Sequence, residues 1–276
     1  MKGFLIASCF VLILCGCERV NFSNEEKKES TLQVTIDKFQ LSESLIGTRT
    51  REGQSSAVIT FAVFDTSGKK VYNEVQKQNE NGHFGEITMR LSSGEYTMVA
   101  VGSYMECDIQ SVKEVCFDEN LTDVFCAVSH VNVDDVYSSE IRMTMQRCVS
   151  QFSLICQDGV PDEVRQFRFL FSAGGQTLNP TTGLANVERP LYIFVRPKTR
   201  ETDSVSVFLF LPEREMKMSL TVDALDYENE VVKTRTFDGL NMGIGKHITA
   251  TGRFFQVSQT MHFDFDDDWK TETVNY

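Results

Sequence analysis

The chain has 276 residues, a formal net charge of −12, 41% hydrophobic residues and only 5 prolines. So acidic a balance argues against nucleic acid, and against lipid headgroups held through a basic patch. The apolar fraction argues against overall disorder, and the length suits one large β domain or two of ordinary size.

The first predicted element is a targeting segment. Met1-Lys2 carries one positive charge, and Phe4 to Leu14 is apolar with only small interruptions. That run is too short to span a bilayer, which takes about 20 residues, and fits the apolar core of a secretory signal. It ends in Leu14-Cys15-Gly16-Cys17. Leu at −3, Gly16 at −1 and Cys17 at +1 resemble the lipobox of bacterial lipoprotein signals, with cleavage between Gly16 and Cys17. Residues 1–16 are therefore read as a lipoprotein signal peptide and Cys17 as the lipidated residue, the point of contact with a membrane. One acyl chain holds a protein only marginally, whereas the three on such a cysteine anchor it stably. The stretch that follows, residues 17–31, is polar and charged, and reads as a tether that lifts a folded body off the lipid.

From residue 32 the pattern is that of strands. "LQVTIDKF" (32–39) is the candidate first strand, and "VITFAVF" (58–64) is a continuous apolar run suited to burial on both faces. Ile87, Met89 and Leu91 share one face of an alternating segment, as do Ile141, Met143 and Met145, then Phe167, Phe169 and Phe171, then Met218, Leu220, Val222 and Ala224. "LYIFV" (191–195) and "VSVFLFL" (205–211) are again expected to be buried on both faces. "PDEVRQF" (161–167) suits one or two helical turns behind Pro161. Turn signals stand between these segments, among them Ser67-Gly68, Asn81-Gly82, Ser93-Gly94 and Asp238-Gly239. Short strands without intervening helices predict an all-β chain of two tandem antiparallel β-sandwiches. The seam is expected near Gln146, giving an N-terminal sandwich over 32–146 and a C-terminal one over 147–276. "FAVFDTSGKKV" (61–71) and "VDALDYENEVV" (222–232) echo one another as strand, acidic turn and valine strand.

Chemistry is sparse. Beyond Cys17 the folded part holds Cys107, Cys116, Cys126, Cys148 and Cys156, an odd set without C-x-x-C spacing. One or two bridges are open, with Cys107–Cys116 or Cys116–Cys126 expected first, and buried thiols acting as small hydrophobes are the alternative. His83, His130, His247 and His262 lie far apart, with no ligand at metal spacing. "GLNMGIG" (239–245) lacks the spacing of a phosphate loop and reads as a loop. In "FDFDDDW" (263–269), Asp264, Asp266 and Asp268 match three positions of a calcium loop. Trp269 and Asn275 then fall where Gly and Glu are required, so the stretch reads as a strand ending in charge. No metal, cofactor or catalytic residue is assigned, and the chain is read as a non-enzyme.

"ITFAVFDTSGKKV" followed by "ITMRLSSGEYTMVAVG" resembles the first domain of the anchor and accessory subunits of type V fimbriae. Phe64-Asp65, Gly68 and Gly94-Glu95-Tyr96 carry the likeness. "MQRCVSQFSLICQDGVPDEV", "LNPTTGLA" and "RTFDGLNMGIGKHITATGRFF" carry it through the second half. The resemblance implies two transthyretin-like, Greek-key sandwiches, export as an outer-membrane lipoprotein to the cell surface, and fimbrial pilin subunits as partners bound by strand exchange. A host ligand is left open as a further partner. In polymerising members an arginine-specific protease cuts after the first strand, so "GTRTRE", with Arg49 and Arg51, is the candidate processing site of a stalk or tip pilin. In anchors that loop stays uncut. The terminus "TMHFDFDDDWKTETVNY" is read either as the last strand of the second sandwich or as a donor segment for a neighbour. A surface carbohydrate-binding lipoprotein is the competing class. It calls for exposed aromatics, and Trp269, Tyr104, Tyr137 and Tyr192 are scattered.

Overall fold

The structure is a computed structural model that describes residues 29–37, 39, 41, 56–134, 139–197, 204–256 and 261–266. The described residues form strands and turns only. In the first half these are β1 (Glu29–Ile36), β2 (Val58–Asp65), β3 (Lys70–Lys77), β4 (Glu86–Ser92), β5 (Gly94–Ser103), β6 (Asp108–Ser111), β7 (Glu114–Cys116), β8 (Phe125–Val133), β9 (Ser139–Met143) and β10 (Gln146–Arg147). The second half contains β11 (Ser150–Cys156), β12 (Gln166–Phe171), β13 (Leu178–Asn179), β14 (Leu184–Ala185), β15 (Leu191–Val195), β16 (Ser204–Leu209), β17 (Glu215–Leu225), β18 (Val231–Gly243), β19 (His247–Gly252) and β20 (His262–Asp266).

In the first half, sheet β4-β1-β9 packs on sheet β10-β8-β5-β2-β3, and in the second, β16-β11-β19-β20 packs on β15-β12-β17-β18. Each pair of sheets encloses its own core. The alternating segments supply these cores. Ile87, Met89 and Leu91 point into the first, and Phe167, Phe169, Phe171, Leu220, Val222 and Ala224 into the second, all buried. Period-2 side-chain alternation makes this the necessary outcome once one face is covered.

The two halves share one topology. β1 is flanked by β4 and β9, as β11 is by β16 and β19. β2 lies between β3 and β5, as β12 lies between β15 and β17. The expected antiparallel pairing holds with one exception per half, since β1 runs parallel to β9 and β11 parallel to β19. The echo between residues 61–71 and 222–232 is not this repeat. The first is the β2–β3 hairpin, whose counterpart is β12–β15, while the second is β17–β18. What they share is turn chemistry. Asp65 Oδ1 accepts from the backbone N–H of Ser67 and Lys69, and Asp226 Oδ1 from those of Glu228 and Glu230.

Other segments differ from the sequence reading. β1 already starts at Glu29, within the stretch read as tether. Residues 161–167 form a single turn closed by the Val164 N–H on the Pro161 carbonyl, and Gln166 then opens β12, so no helix forms. Residues 191–195 make an edge strand with one face in water, because β15 has β12 on one side only and turns Tyr192 and Phe194 outward. Residues 239–243 continue β18, with Leu240 and Met242 in the core. The chain passes Gly239 at a φ of 70°, where the register with β17 shifts.

The continuous apolar runs mark the contact between the halves. Ile59, Phe61 and Val63 of β2 face the first core, while Ala62 and Phe64 face a third cluster with Val99, Val115, Leu178, Phe208 and Phe210. β16 likewise turns Val205, Val207 and Leu209 to the second core and Phe208 to this shared one. A small sheet, β14-β13-β7-β6, crosses the boundary through the pairing of Leu178 with Val115.

Candidate functional site

Gly16, Cys17, Arg49 and Arg51 lie outside the described residues, as do Tyr137 and Trp269. What is described is the element between the two candidate positions, β1, and how it is seated.

β1 is an inner strand. It pairs antiparallel with β4 from Glu29–Ser92 to Thr35–Glu86, and parallel with β9 from Leu32–Ser139 to Ile36–Met143. Leu32, Val34 and Ile36 are buried in the first core, while Gln33 and Thr35 face outward. The backbone bonds continue past the strand, from Ile36 N–H to the Gly85 carbonyl and from Asp37 N–H to the Met143 carbonyl, each at 2.8 Å. The Thr144 hydroxyl donates to Asp37 at 2.7 Å, and Arg142 stands 3.8 Å from the same carboxylate. The Ser30 hydroxyl ties the strand's start to the Asp134 carbonyl at 2.7 Å. Beyond the strand, Phe39 is buried between Phe84 and Phe125. It lies against Gly102, where a Cβ would come within 2.4 Å of its ring.

This arrangement defines a groove. Take β1 away, and β4 and β9 each face an empty position with a row of unpaired backbone groups, beside their own apolar side chains Ile87, Met89, Leu91 and Met143 in the first core. A replacement strand must run antiparallel to β4 and parallel to β9, with apolar residues at alternate positions.

The far end of the chain is held differently. β20 is an edge strand, paired with β19 alone from His247–Asp266 to Thr251–His262. Phe263 reaches the second core edge-on to Phe237, with ring centroids 5.4 Å apart, whereas Phe265 is 58% exposed. The loop before it is clamped. Asp158 accepts the backbone N–H groups of Phe254, Phe255 and Gln256 at 2.9, 2.8 and 3.2 Å, and Arg235 Nε donates to the Phe254 carbonyl at 2.9 Å. Residues 262–266 thus serve as the last described strand of the second half.

One constellation was not singled out in the sequence. Ser153 Oγ lies 2.8 Å from His247 Nε2, the geometry of a nucleophile and its base. The same oxygen also meets Ser206 Oγ at 2.6 Å and accepts from Gln151 Nε2 at 3.2 Å, so its proton and both lone pairs are taken. Ser153 is buried, and burial lowers the His247 pKa. The Ser153 hydroxyl is thus saturated inside a buried polar network, in which Gln151 Oε1 is left without a hydrogen-bond partner among the described residues. Among the described residues no group of His, Cys, Asp or Glu side chains is arranged to hold a metal ion. His83 and His262 are exposed beside Glu86 and Asp264, and His130 is exposed beside Thr97.

The cysteines also group in an unexpected way. Cys126 and Cys148, neither of them neighbours along the chain, bring their sulfurs to 2.9 Å of one another. Cys156 is buried in the second core, and Cys107 and Cys116 flank the β6–β7 hairpin.

A family profile described as fimbrillin-A associated anchor proteins Mfa1 and Mfa2 matches residues 38–274. Among solved structures, a candidate adhesin from Bacteroides ovatus superimposes with a TM-score of 0.51 at 12% identity, covering 82% of this chain and 88% of that one. The fimbrial anchor protein Mfa2 from Porphyromonas gingivalis gives 0.45 at 12% identity over 81% and 90%. A fimbrial assembly protein from Parabacteroides distasonis gives 0.41 at 12% over 86% and 94%. At such identities the likeness is one of fold. No curated protein sequence matches the chain.

Proposed function

The chain belongs to the family of fimbrillin-A associated anchor proteins, and from that premise we propose that it is a lipid-anchored accessory subunit of a surface fimbria. It is exported behind residues 1–16, acylated at Cys17, and held on the outer membrane with its two sandwiches facing outward. It binds pilin subunits by β-strand complementation, at the base of the fibre or where the fibre starts or stops. The observation that carries this reading is the family match across residues 38–274. The order of charge, apolar run, Leu14, Gly16 and Cys17 supports the anchor. The seating of β1 between β4 and β9 supports strand exchange, because that position is framed by two complete backbone ladders and an apolar floor.

The test is a Cys17→Ser chain in a fimbriated strain. The expected outcome is release of the subunit, with its fibres, into the medium, and copurification of the native chain with pilins. Equal retention of subunit and fibres by the variant would overturn the anchor.

A processed stalk or tip pilin is the second reading. Its support is that the segment carrying Arg49 and Arg51 directly follows a strand whose removal would open the groove. N-terminal analysis of the surface-exposed chain separates the two. An acylated start at Cys17 belongs to an anchor, and a start at Thr50 or Glu52 to a cleaved pilin.

A further inference from the structure

We propose that Cys126 and Cys148 form a disulfide in the exported protein, which pins the strand β8 to the segment that leads from the first half into the second. This rests on the export reading above, since a thiol pair stays reduced in the cytosol and oxidises outside it.

The geometry comes from the strand pairing. Gln146 lies opposite Cys126 and Arg147 opposite Phe125, and the Cys148 N–H donates to the Val124 carbonyl at 2.9 Å. The chain from Thr144 onward thus runs back along β8 and lays Cys148 beside Cys126. The sulfurs stand 2.9 Å apart. A disulfide bond is about 2.05 Å long, so closure needs a movement of roughly 1 Å or less. Both side chains are buried in the cluster shared by the two halves, and no third cysteine belongs to its buried residues.

As thiols the two each have a carbonyl acceptor. Cys148 Sγ has the Gln146 carbonyl at 3.2 Å, and Cys126 Sγ the Pro180 carbonyl at 3.6 Å. Contact with Cys126 and burial push the Cys148 thiol well up, so the closed site holds no ready thiolate. The bond therefore forms as the chain folds. The two thiols lose two protons and two electrons as the S–S bond forms. The electrons pass by exchange to the disulfide of an exported thiol–disulfide oxidoreductase, which leaves as the dithiol.

The closed loop contains β9, the parallel partner of β1. With the bond in place, β9 stays against the first half even when β1 is displaced, so a groove opened by strand exchange keeps one wall.

The chain is isolated from the cell envelope, its free thiols are alkylated in denaturant before any reductant is added, and its peptides are mapped with and without reduction. The expected result is one cross-linked pair, Cys126 with Cys148, and alkylated Cys107, Cys116 and Cys156. Reductant should lower the melting midpoint of the native chain by roughly 5 °C or more and leave a Cys126→Ala, Cys148→Ala chain unmoved. Alkyl label on both Cys126 and Cys148 in chain recovered folded from the envelope and then denatured overturns the proposal. So does cross-linking of either one to another cysteine. Recovery of the chain from the cytoplasm alone overturns the export reading instead. The same mapping after refolding in glutathione buffer then decides the pairing by itself.

Discussion

Asp123 and Arg147 meet where the first half hands the chain to the second. Arg147 Nε donates to Asp123 Oδ1 at 2.8 Å and Nη2 to Oδ2 at 2.9 Å, and the guanidinium lies 4.7 Å from the centre of the Phe125 ring. The Asp123 side chain is fully buried. A buried pair adds little net stability over a well-packed apolar one, but breaking it leaves a charge without its counter-ion, which costs about 3–5 kcal/mol. Asp123→Ala is therefore expected to destabilise the chain by about 3 kcal/mol in a denaturant titration, and adding Arg147→Met to it, which removes the stranded cation, to recover part of that loss. His247 gives a second prediction. Burial lowers its pKa below the ordinary value of 6.5. Above 6.5 the folded and unfolded chains both carry the neutral ring. As the pH falls below 6.5 the unfolded chain takes up the proton first, so this contribution to stability is lost as the pH drops through the folded-state pKa. A His247→Gln chain should show a flatter decline of melting midpoint than the native chain between about pH 7 and about pH 5. Parallel slopes would show that the ring is not the titrating group.

At the scale of strands, β1 is the element on which the two proposed readings, anchor and processed pilin, part. It is joined to both neighbours by backbone bonds and buries Leu32, Val34 and Ile36. If a protease site is inserted between Arg51 and Glu52 and cut, the N-terminal fragment should co-elute with the rest on gel filtration, and separate only in denaturant. Immediate loss of the fragment would mean that the strand does not hold its groove unaided. Gly102→Ala tests the lock behind it. The added Cβ would meet the Phe39 ring at 2.4 Å, so the ring must leave its place between Phe84 and Phe125, and we expect a loss of about 2 kcal/mol with faster release of the cut fragment. Much of this was legible in the sequence. Alternation at 87–91, 167–171 and 218–224 gave the strands and their inward faces, because a half-buried strand must repeat every second residue. What local pattern cannot carry is pairing across the chain. Nothing at 29–36 or 139–143 announces that these strands run parallel to one another. "LYIFV" has no polar residue to reveal that its outer face is wet, since Tyr192 and Phe194 sit there exposed. The sequence reading favoured Cys107–Cys116 and Cys116–Cys126, whereas the close pair, Cys126 and Cys148, lies 22 residues apart and meets only through the β8–β10 pairing. The proposed positions Cys17, Arg49 and Arg51 are legible only as motifs, because the roles proposed for them lie in processing and not in packing.

Across the whole molecule, the question is whether the two halves act as one body. A linker between independent domains is polar, few contacts cross it, and the faces it separates are wet. Here the chain passes from β10 to β11 through Cys148 and Val149, both buried in the shared cluster. β2 and β5 from one half and β16 from the other are apolar on both faces because their second faces meet at this seam, with Phe64 and Val99 on one side and Phe208 and Phe210 on the other. The β13–β14 hairpin reaches over and pairs Leu178 with Val115 of β7, and the Thr181 hydroxyl donates to the Val112 carbonyl at 2.7 Å. Asn120 Nδ2 adds a bond to the Phe194 carbonyl at 2.8 Å. In the proposed function, load applied at an N-terminal anchor and at a bound pilin would have to shear this seam before the halves could separate. Apolar burial on this scale couples their unfolding, since neither half can open without exposing the other's face. The native chain should therefore melt in one calorimetric transition. Leu178→Asp places a charge in the fully buried centre of the cluster, where no cation stands opposite among its apolar members, and is expected to split that transition in two while each half keeps its own core. Two transitions in the native chain, or a single unshifted one in the variant, would mean that the seam is mere contact, and that force passes between the halves through the connecting strand alone.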